Sequence, residues 1–281
     1  MRLVSYRSDR GVRAGVLEGD RVIDAGDAFG AGEDRSVRDL LEAGALGDLE
    51  EAADGHDGLP LAAVELLAPV PDPEKIVCIG LNYAAHAAEG REEVPKSPTI
   101  FGKFRNALAA PGATVTLPAA SAKVDYEGEI AFVIGRTARE VDEAQALDHL
   151  AGYMLFNDLS ARDLQYATPQ WMAGKVFDGS APSGPWLVTP DEAGPPDGLE
   201  LTLTLNGEQM QNGRTEALIF SIPTLLAHLS RLMTLRPGDI VATGTPEGVG
   251  GARQPRVWLQ DGDELIVSSP TLGQLETRIA R

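Results

Sequence analysis

Asp125-Tyr126-Glu127-Gly128-Glu129-Ile130-Ala131-Phe132-Val133-Ile134-Gly135 reads as a β-strand. Ile130, Phe132 and Ile134 are β-formers, and Gly135 closes the run. Side chains alternate faces along a strand, so Glu127 and Glu129 share one face. Two carboxylates side by side repel unless a positive charge lies between them. Mg²⁺, Mn²⁺ and Ca²⁺ prefer oxygen ligands and fit that gap. The plainer alternative is a solvated strand face carrying two glutamates. Gly128 leaves the opposite face open for close packing.

A third acid follows thirty residues on, in Gly152-Tyr153-Met154-Leu155-Phe156-Asn157-Asp158-Leu159-Ser160-Ala161-Arg162-Asp163-Leu164-Gln165. The apolar run from Tyr153 to Phe156 predicts a strand that Asn157-Asp158 ends. Asp158 or Ser160 can cap a short following helix, on which Arg162 and Gln165 share a face. Asp158 therefore has two readings, a helix cap or a third ligand.

The rest of the chain sets bounds. At 281 residues the length suits one large or two small domains. The apolar fraction of 43% is that of a globular chain. No apolar run reaches the length of a membrane span, and Met1 to Arg7 lacks the apolar core of a signal peptide. Cys78 stands alone within an apolar run and reads as a buried small hydrophobe. A cytoplasmic enzyme is expected. The formal net charge of −18 disfavours nucleic acid and anionic membranes as partners. An anionic substrate would then need local cations, and Lys103, Arg162 and Lys175 are expected to gather near the metal.

Residues 1–70 look separate, with short strands at Leu3–Tyr6, Arg13–Leu17 and Arg21–Asp24 and a helix opened by Ser36. Glu50 to Gly58 is acidic and reads as exposed chain. Pro69-Val70-Pro71-Asp72-Pro73 reads as a linker. Residues 71–281 are dominated by strands. Leu201–Leu205 alternates apolar and polar residues, and Asn206-Gly207 is a strong hairpin signal. Ile222 to Met233 has helical spacing, and Val257–Leu259 with Glu264–Val267 suggests a strand-turn-strand unit.

The ordered motifs Lys75-Ile76-Val77-Cys78-Ile79-Gly80-Leu81-Asn82-Tyr83-Ala84-Ala85-His86, Val124-Asp125-Tyr126-Glu127-Gly128-Glu129, Asn157-Asp158-Leu159-Ser160-Ala161-Arg162-Asp163, Gly174-Lys175-Val176-Phe177-Asp178, Gly184-Pro185-Trp186, Asn206-Gly207-Glu208 and Pro237-Gly238-Asp239-Ile240-Val241-Ala242-Thr243-Gly244-Thr245-Pro246-Glu247-Gly248 together resemble the fumarylacetoacetate hydrolase family. The resemblance runs from about Lys75 to the C-terminus. It implies an α+β, β-rich fold, a mixed β-sandwich roll with a small N-terminal α/β domain. It also implies a catalytic Mg²⁺ or Mn²⁺, with Ca²⁺ as a crystal substitute, held by Glu127, Glu129 and Asp158. Substrates would be small anionic 2-keto acids whose enolate the metal stabilises.

In that resemblance Glu89 orients His86, and His86 activates water as general base. Without it, the pair reads as two exposed residues on one helix face. Lys175 matches a lysine near the metal, and its plainer reading is an ion pair with Asp178. Arg162 and Gln165 match contacts to the far part of the substrate, with Lys103 as a further cation. Gly244 and Thr245 can meet a substrate carboxylate, or simply form a turn. The polar segment from Glu89 to Ser97 looks like a lid. Ala85 stands where some family hydrolases carry Asp. Hydrolysis of a C–C bond in an acylpyruvate or fumarylpyruvate is the first expectation. An isomerase, tautomerase or decarboxylase is the second. A homodimer is expected, with the Ile222–Met233 helix as one surface to bury.

Overall fold

The computed structural model describes residues 1–30 and 35–281. The strand Gly128–Ile134 lies near the middle of a large, mostly antiparallel sheet. On one side it pairs with Leu150–Asn157, with Gly128 opposite Asn157. On the other it pairs with Ile240–Ala242. Ile240–Ala242 in turn runs parallel to Ile76–Gly80, which pairs with Thr99–Lys103. A second sheet of five strands carries Glu200–Leu205, Glu208–Arg214, Glu264–Ser269, Gly273–Ala280 and Thr114–Thr116. The fold is α+β and β-rich.

Period-two alternation explains why the central strands hold two cores. Ile130, Phe132 and Ile134 face the five-stranded sheet and the helix Ile222–Leu232. Ala131 and Val133 face the opposite side, under the N-terminal helices Val37–Ala43 and Leu46–Ala53. Tyr153 and Leu155 divide from Met154 and Phe156 in the same way, as Val77 and Ile79 do from Ile76 and Cys78. A strand buried on both faces reads as a continuous apolar run, which is how these stretches look in the sequence.

The segment before residue 70 continues the large sheet. Arg2 pairs with Val188 and Leu3 with Leu187, and Arg2–Ser8 then pairs with Gly11–Glu18. Ser36 caps Val37–Ala43 through a reciprocal capping box with Asp39. Other expectations are corrected. The acidic stretch from Glu50 is largely exposed, as expected, but it begins inside a helix, Leu46–Ala53, anchored by Leu49 and Ala53. Val257–Leu259 is not a strand, because its amides are taken singly: Val257 donates to the Gly250 carbonyl and Leu259 to that of Val124. Asp158 and Ser160 cap no helix. Arg162–Gln165 follows Ala161, which offers no side-chain cap, and Ser160 lies in a two-residue strand opposite Asp125. The helix Ile222–Leu232 buries Leu225, Leu226 and Leu229 inside its own chain and leaves Leu232 exposed. Among the described residues no helix is long and apolar enough to cross a membrane.

A buried polar cluster fastens the first hairpin. Arg13 is ion-paired to Asp24, which also accepts from the Tyr6 hydroxyl and caps Asp27 at 3.0 Å. Burial pushes the Asp24 carboxyl up, but Arg13, Tyr6 and the Asp27 amide outweigh it and hold it below 3.8. A lowered carboxyl pKa adds stability above its unfolded value, and that stability is lost as pH falls through the folded one. Asp24→Asn is expected to cost about 3–5 kcal/mol at neutral pH, the scale of breaking a buried pair. The gap from wild type should narrow as pH falls below 3.8. Urea unfolding across pH 2–7 checks this, and a pH-independent gap would contradict it.

Candidate active site

The chain breaks between the two-residue strand Val124–Asp125 and the strand Gly128–Ile134. Tyr126 and Glu127 therefore lie in a short unpaired step. This departs from the single strand expected from Asp125 to Gly135. The Glu127 amide donates to Asn157 Oδ1 at 3.1 Å, and the Asp158 amide donates to the Glu127 carbonyl at 2.8 Å. These bonds lock the step against the end of the neighbouring strand. Glu127, Glu129 and Asp158 converge there, all buried, each offering an oxygen within 4.8 Å of the others.

Cations surround the carboxylates. Lys175 Nζ bridges Glu127 Oε2 at 2.6 Å and Asp158 Oδ2 at 2.7 Å. Lys103 Nζ meets Asp158 Oδ1 at 2.6 Å. Arg162 spans Glu127 Oε1 at 2.7 Å and Asp125 Oδ2 at 2.8 Å, and donates to Gln165 Oε1 at 3.0 Å. Lys175 has no bond to Asp178, which accepts from Asn106 instead. Gly174 makes the reach of Lys175 possible. A Cβ there would stand 2.5 Å from the Ala161 carbonyl oxygen and the Gln165 nitrogen, so only glycine lets this turn press against the neighbouring helix.

Charge explains the pKa directions. Burial penalises the Glu127 carboxylate, yet Lys175, Arg162 and His86 together hold its carboxyl well below the usual range. Burial also disfavours the Lys175 ammonium, but Asp158 and Glu127 push its pKa up. Glu129 differs. Burial and the charges of Asp158 and Glu127 push its carboxyl well up, against Lys175 and the Gly244 amide. Among the described residues Glu129 makes no ion pair, and its Oε2 accepts from Gly244 at 2.9 Å.

That unpaired carboxylate is the best argument that a cation belongs here. Three buried oxygen donors and one uncompensated acid fit a hard divalent ion with sites left for water or substrate. Asp125, Glu127, Glu129 and Asp158 carry four negative charges against three positive ones on Lys103, Arg162 and Lys175. With Glu129 ionised, a divalent ion would turn the cluster from net −1 to net +1; with Glu129 protonated the metal-free cluster has no net charge. An acidic protein thereby gains a locally positive pocket for an anion.

Above the carboxylates a cleft of about 420 Å³, open mouth included, is lined by His86, Phe101, Arg162, Gln165, Tyr166, Trp171, Lys175 and Thr245 among others. His86 comes from the helix Ala84–Glu89, and its Nδ1 lies 2.7 Å from Glu89 Oε1. The Gly248 amide donates to Glu89 Oε2 at 2.9 Å. The pair is therefore formed and tied to the loop after Thr245. The following residues, Gly90 to Val94, are exposed.

Lys103 and Gly244 stand apart from the cleft lining and reach the carboxylates from behind. The Thr245 hydroxyl donates to the Gly128 carbonyl and accepts from Gln211 Nε2 at 2.8 Å. Ala85 is exposed. Three contributors escaped the sequence reading. Asp125 is fully buried and accepts from Tyr126, Gly250, Gly251 and Arg162. Gln211 joins Gly128 to Pro246. Trp171 walls the cleft. Only Asp125 left a signal, as a third acid at alternate spacing with Glu127 and Glu129.

Comparison with known proteins agrees with this architecture. The family model for the fumarylacetoacetate (FAA) hydrolase C-terminal region matches residues 75–280. The mitochondrial oxaloacetate tautomerase fahd2 of Xenopus laevis is 38% identical over 288 residues, covering 99% of this chain and 90% of the relative. The fumarylacetoacetate hydrolase of Exiguobacterium antarcticum superposes with a TM-score of 0.84 at 34% identity, covering 100% of both chains. A maleylpyruvate hydrolase from Sphingobium sp. SYK-6, in complex with manganese(II) and pyruvate, superposes with a TM-score of 0.83 at 33% identity, covering 100% of this chain and 99% of that one.

Glu129 supplies a test of the site by stability alone. A carboxyl whose folded pKa is raised costs stability as pH climbs above its unfolded value, and that cost disappears as pH falls back below it. Glu129→Gln is expected to raise the Tm of the metal-free protein at pH 7–8 by about 2–4 °C, the shift for roughly 1 kcal/mol at this chain size. The gain should shrink as pH is lowered. In wild type, excess Mn²⁺ or Mg²⁺ should raise Tm, by about 2.7 kcal/mol of stabilisation at a hundred times Kd. The variant should lose most of that response. A Tm indifferent to both metal and EDTA would contradict the site.

Proposed function

Since the chain belongs to the fumarylacetoacetate hydrolase family, we propose that it is a metal-dependent tautomerase of a small 2-keto diacid of the oxaloacetate type. The observation that carries this reading is the convergence of three buried carboxylates, Lys175 and the His86–Glu89 pair on one cleft. A divalent ion held by Glu127, Glu129 and Asp158 would polarise the keto oxygen of a chelated 2-keto acid as a Lewis acid.

The protein's own groups account for the proton movements. Arg162 and Gln165 hold the distal carboxylate. His86, oriented through Nδ1 by Glu89, presents Nε2 to the substrate and takes a proton from C3. The C–H electron pair becomes the C2–C3 double bond, and the keto oxygen takes the negative charge. Lys175 donates a hydrogen bond to that oxygen, and the proton held on His86 Nε2 is passed to it, which gives the enol and restores the neutral imidazole. The reverse sequence restores the ketone.

Hydrolysis of an acylpyruvate is the second reading, favoured by the likeness to a manganese- and pyruvate-bound maleylpyruvate hydrolase. There His86 would take a proton from water, and the resulting hydroxide would add to the C4 carbonyl. The C3–C4 bond would break, its electron pair would form the pyruvate enolate, and C3 would be protonated. Two observations rank it second. The tautomerase fahd2 of Xenopus laevis is a relative along nearly the whole chain, and Ala85 supplies no extra carboxylate for water.

The distinguishing assay follows enol absorbance with oxaloacetate, and pyruvate release with acetylpyruvate and fumarylpyruvate. Faster Mn²⁺-dependent tautomerisation is expected. His86→Ala should lower kcat by about 10² or more, the scale of one general base, with Mn²⁺ affinity unchanged. Glu89→Gln should act in the same direction but more mildly. Acylpyruvate cleavage without oxaloacetate turnover would select the second reading. Full activity of His86→Ala on all three substrates would assign proton transfer to another group.

A further inference from the structure

We propose that Trp171 is a specificity-determining residue that sets how large a group the substrate can carry beyond its keto-acid head. The proposal rests on the 2-keto-acid reading of the cleft, but not on which reaction follows.

The cleft has a direction. Its floor is Glu127, Glu129 and Lys175, all buried. Its mouth is marked by Tyr166, which is 65% exposed. A ligand chelated at the floor must extend toward that mouth, and Trp171 lines the path. Two contacts fix the indole there. Gly80 has no side chain, and a Cβ added to it would clash with Trp171 Cζ3 and stand 2.9 Å from Cη2. The indole meets the Phe101 ring edge-on, with centroids 5.8 Å apart and planes at 67°. Phe101 in turn covers the Lys175 ammonium at 4.9 Å. The wall is thus continuous from the indole to the lysine that grips Glu127 and Asp158. Trp171 itself is bonded to none of the carboxylates, so it is free to shape the space without holding the charge cluster.

The strand Ile76–Gly80 pairs with Thr99–Lys103, placing Gly80 opposite Thr99 and Cys78 opposite Phe101. Both residues that hold the indole therefore belong to one rigid hairpin of the large sheet. The wall does not depend on the exposed segment after Glu89. A substrate tail bulky enough to reach the indole meets that wall.

The test measures binding to the Mn²⁺-loaded protein, so it does not depend on the reaction. Oxalate is no longer than the chelating head, whereas benzoylpyruvate carries a phenyl group beyond it. Trp171→Ala is expected to tighten benzoylpyruvate by roughly tenfold or more, the scale of opening an apolar pocket. Oxalate should stay within about twofold. Gly80→Ala, which displaces the indole, should change benzoylpyruvate affinity in wild type but by less than about twofold in the Trp171→Ala background. Trp171→Leu and melting curves guard against a folding defect. Equal changes for both ligands, no change for either, or additive effects of Gly80→Ala and Trp171→Ala would overturn the proposal. A wild type that binds neither ligand with Mn²⁺ present would overturn the keto-acid reading and this inference with it, whereas failure of the variants alone leaves that reading standing.

Discussion

Three carboxylates are forced into one another's company inside the protein, and most of the site follows from how that charge is balanced. A buried carboxylate without a partner is unfavourable by several kcal/mol. Glu127 and Asp158 answer this with Lys175, Lys103 and Arg162 at 2.6–2.7 Å. Glu129 has only an amide N–H. The imbalance is a standing attraction for a divalent ion, and the same ion reverses the sign of the pocket. A protein of net charge −18 can then take in an anion through one small region while the rest of its surface repels it.

The sheet makes the cluster rigid. Gly128–Ile134 is buried on both faces and paired on both edges, so the carboxylates at its start cannot drift. Asp125 extends the same logic outward. It ties Arg162 to the Gly250–Gly251 amides, and Arg162 meets Glu127. Preorganised charge of this kind favours a developing enolate without reorganisation during the reaction. His86 comes from a different kind of element, a six-residue helix beside an exposed stretch. Its anchor is the bond from Gly248 to Glu89. His86 is thus fastened, through Glu89, to the same loop that presents Thr245 to the cleft.

Local signals were legible where they concerned neighbours in sequence. Glu127, Glu129 and Asp158 stand out because acids are scarce in apolar strands. His86 and Glu89 are visible as an i,i+3 pair. Ser36 and Asn206-Gly207 mark a cap and a turn, and Asn206 and Gly207 both adopt positive φ. Contacts between distant segments were not legible. Nothing in Met1–Ser8 says that it will pair with Val188, across some 180 residues. Lys103 looked like a substrate contact, but the register of Thr99–Lys103 brings it behind Asp158. Val257–Leu259 has the composition of a strand but lacks a partner edge. Trp171 gave no signal, because its role depends on an absent side chain at Gly80 on another element.

The charge-reversal account is tested most directly by titrating oxalate into the wild-type protein by calorimetry, once with saturating Mn²⁺ and once in excess EDTA. Stoichiometric binding, one oxalate per chain, is expected with Mn²⁺, and none is expected in EDTA, where the cluster has no excess positive charge. Equal binding in both conditions would mean that Lys103, Arg162 and Lys175 suffice for an anion without a metal, and would contradict the account.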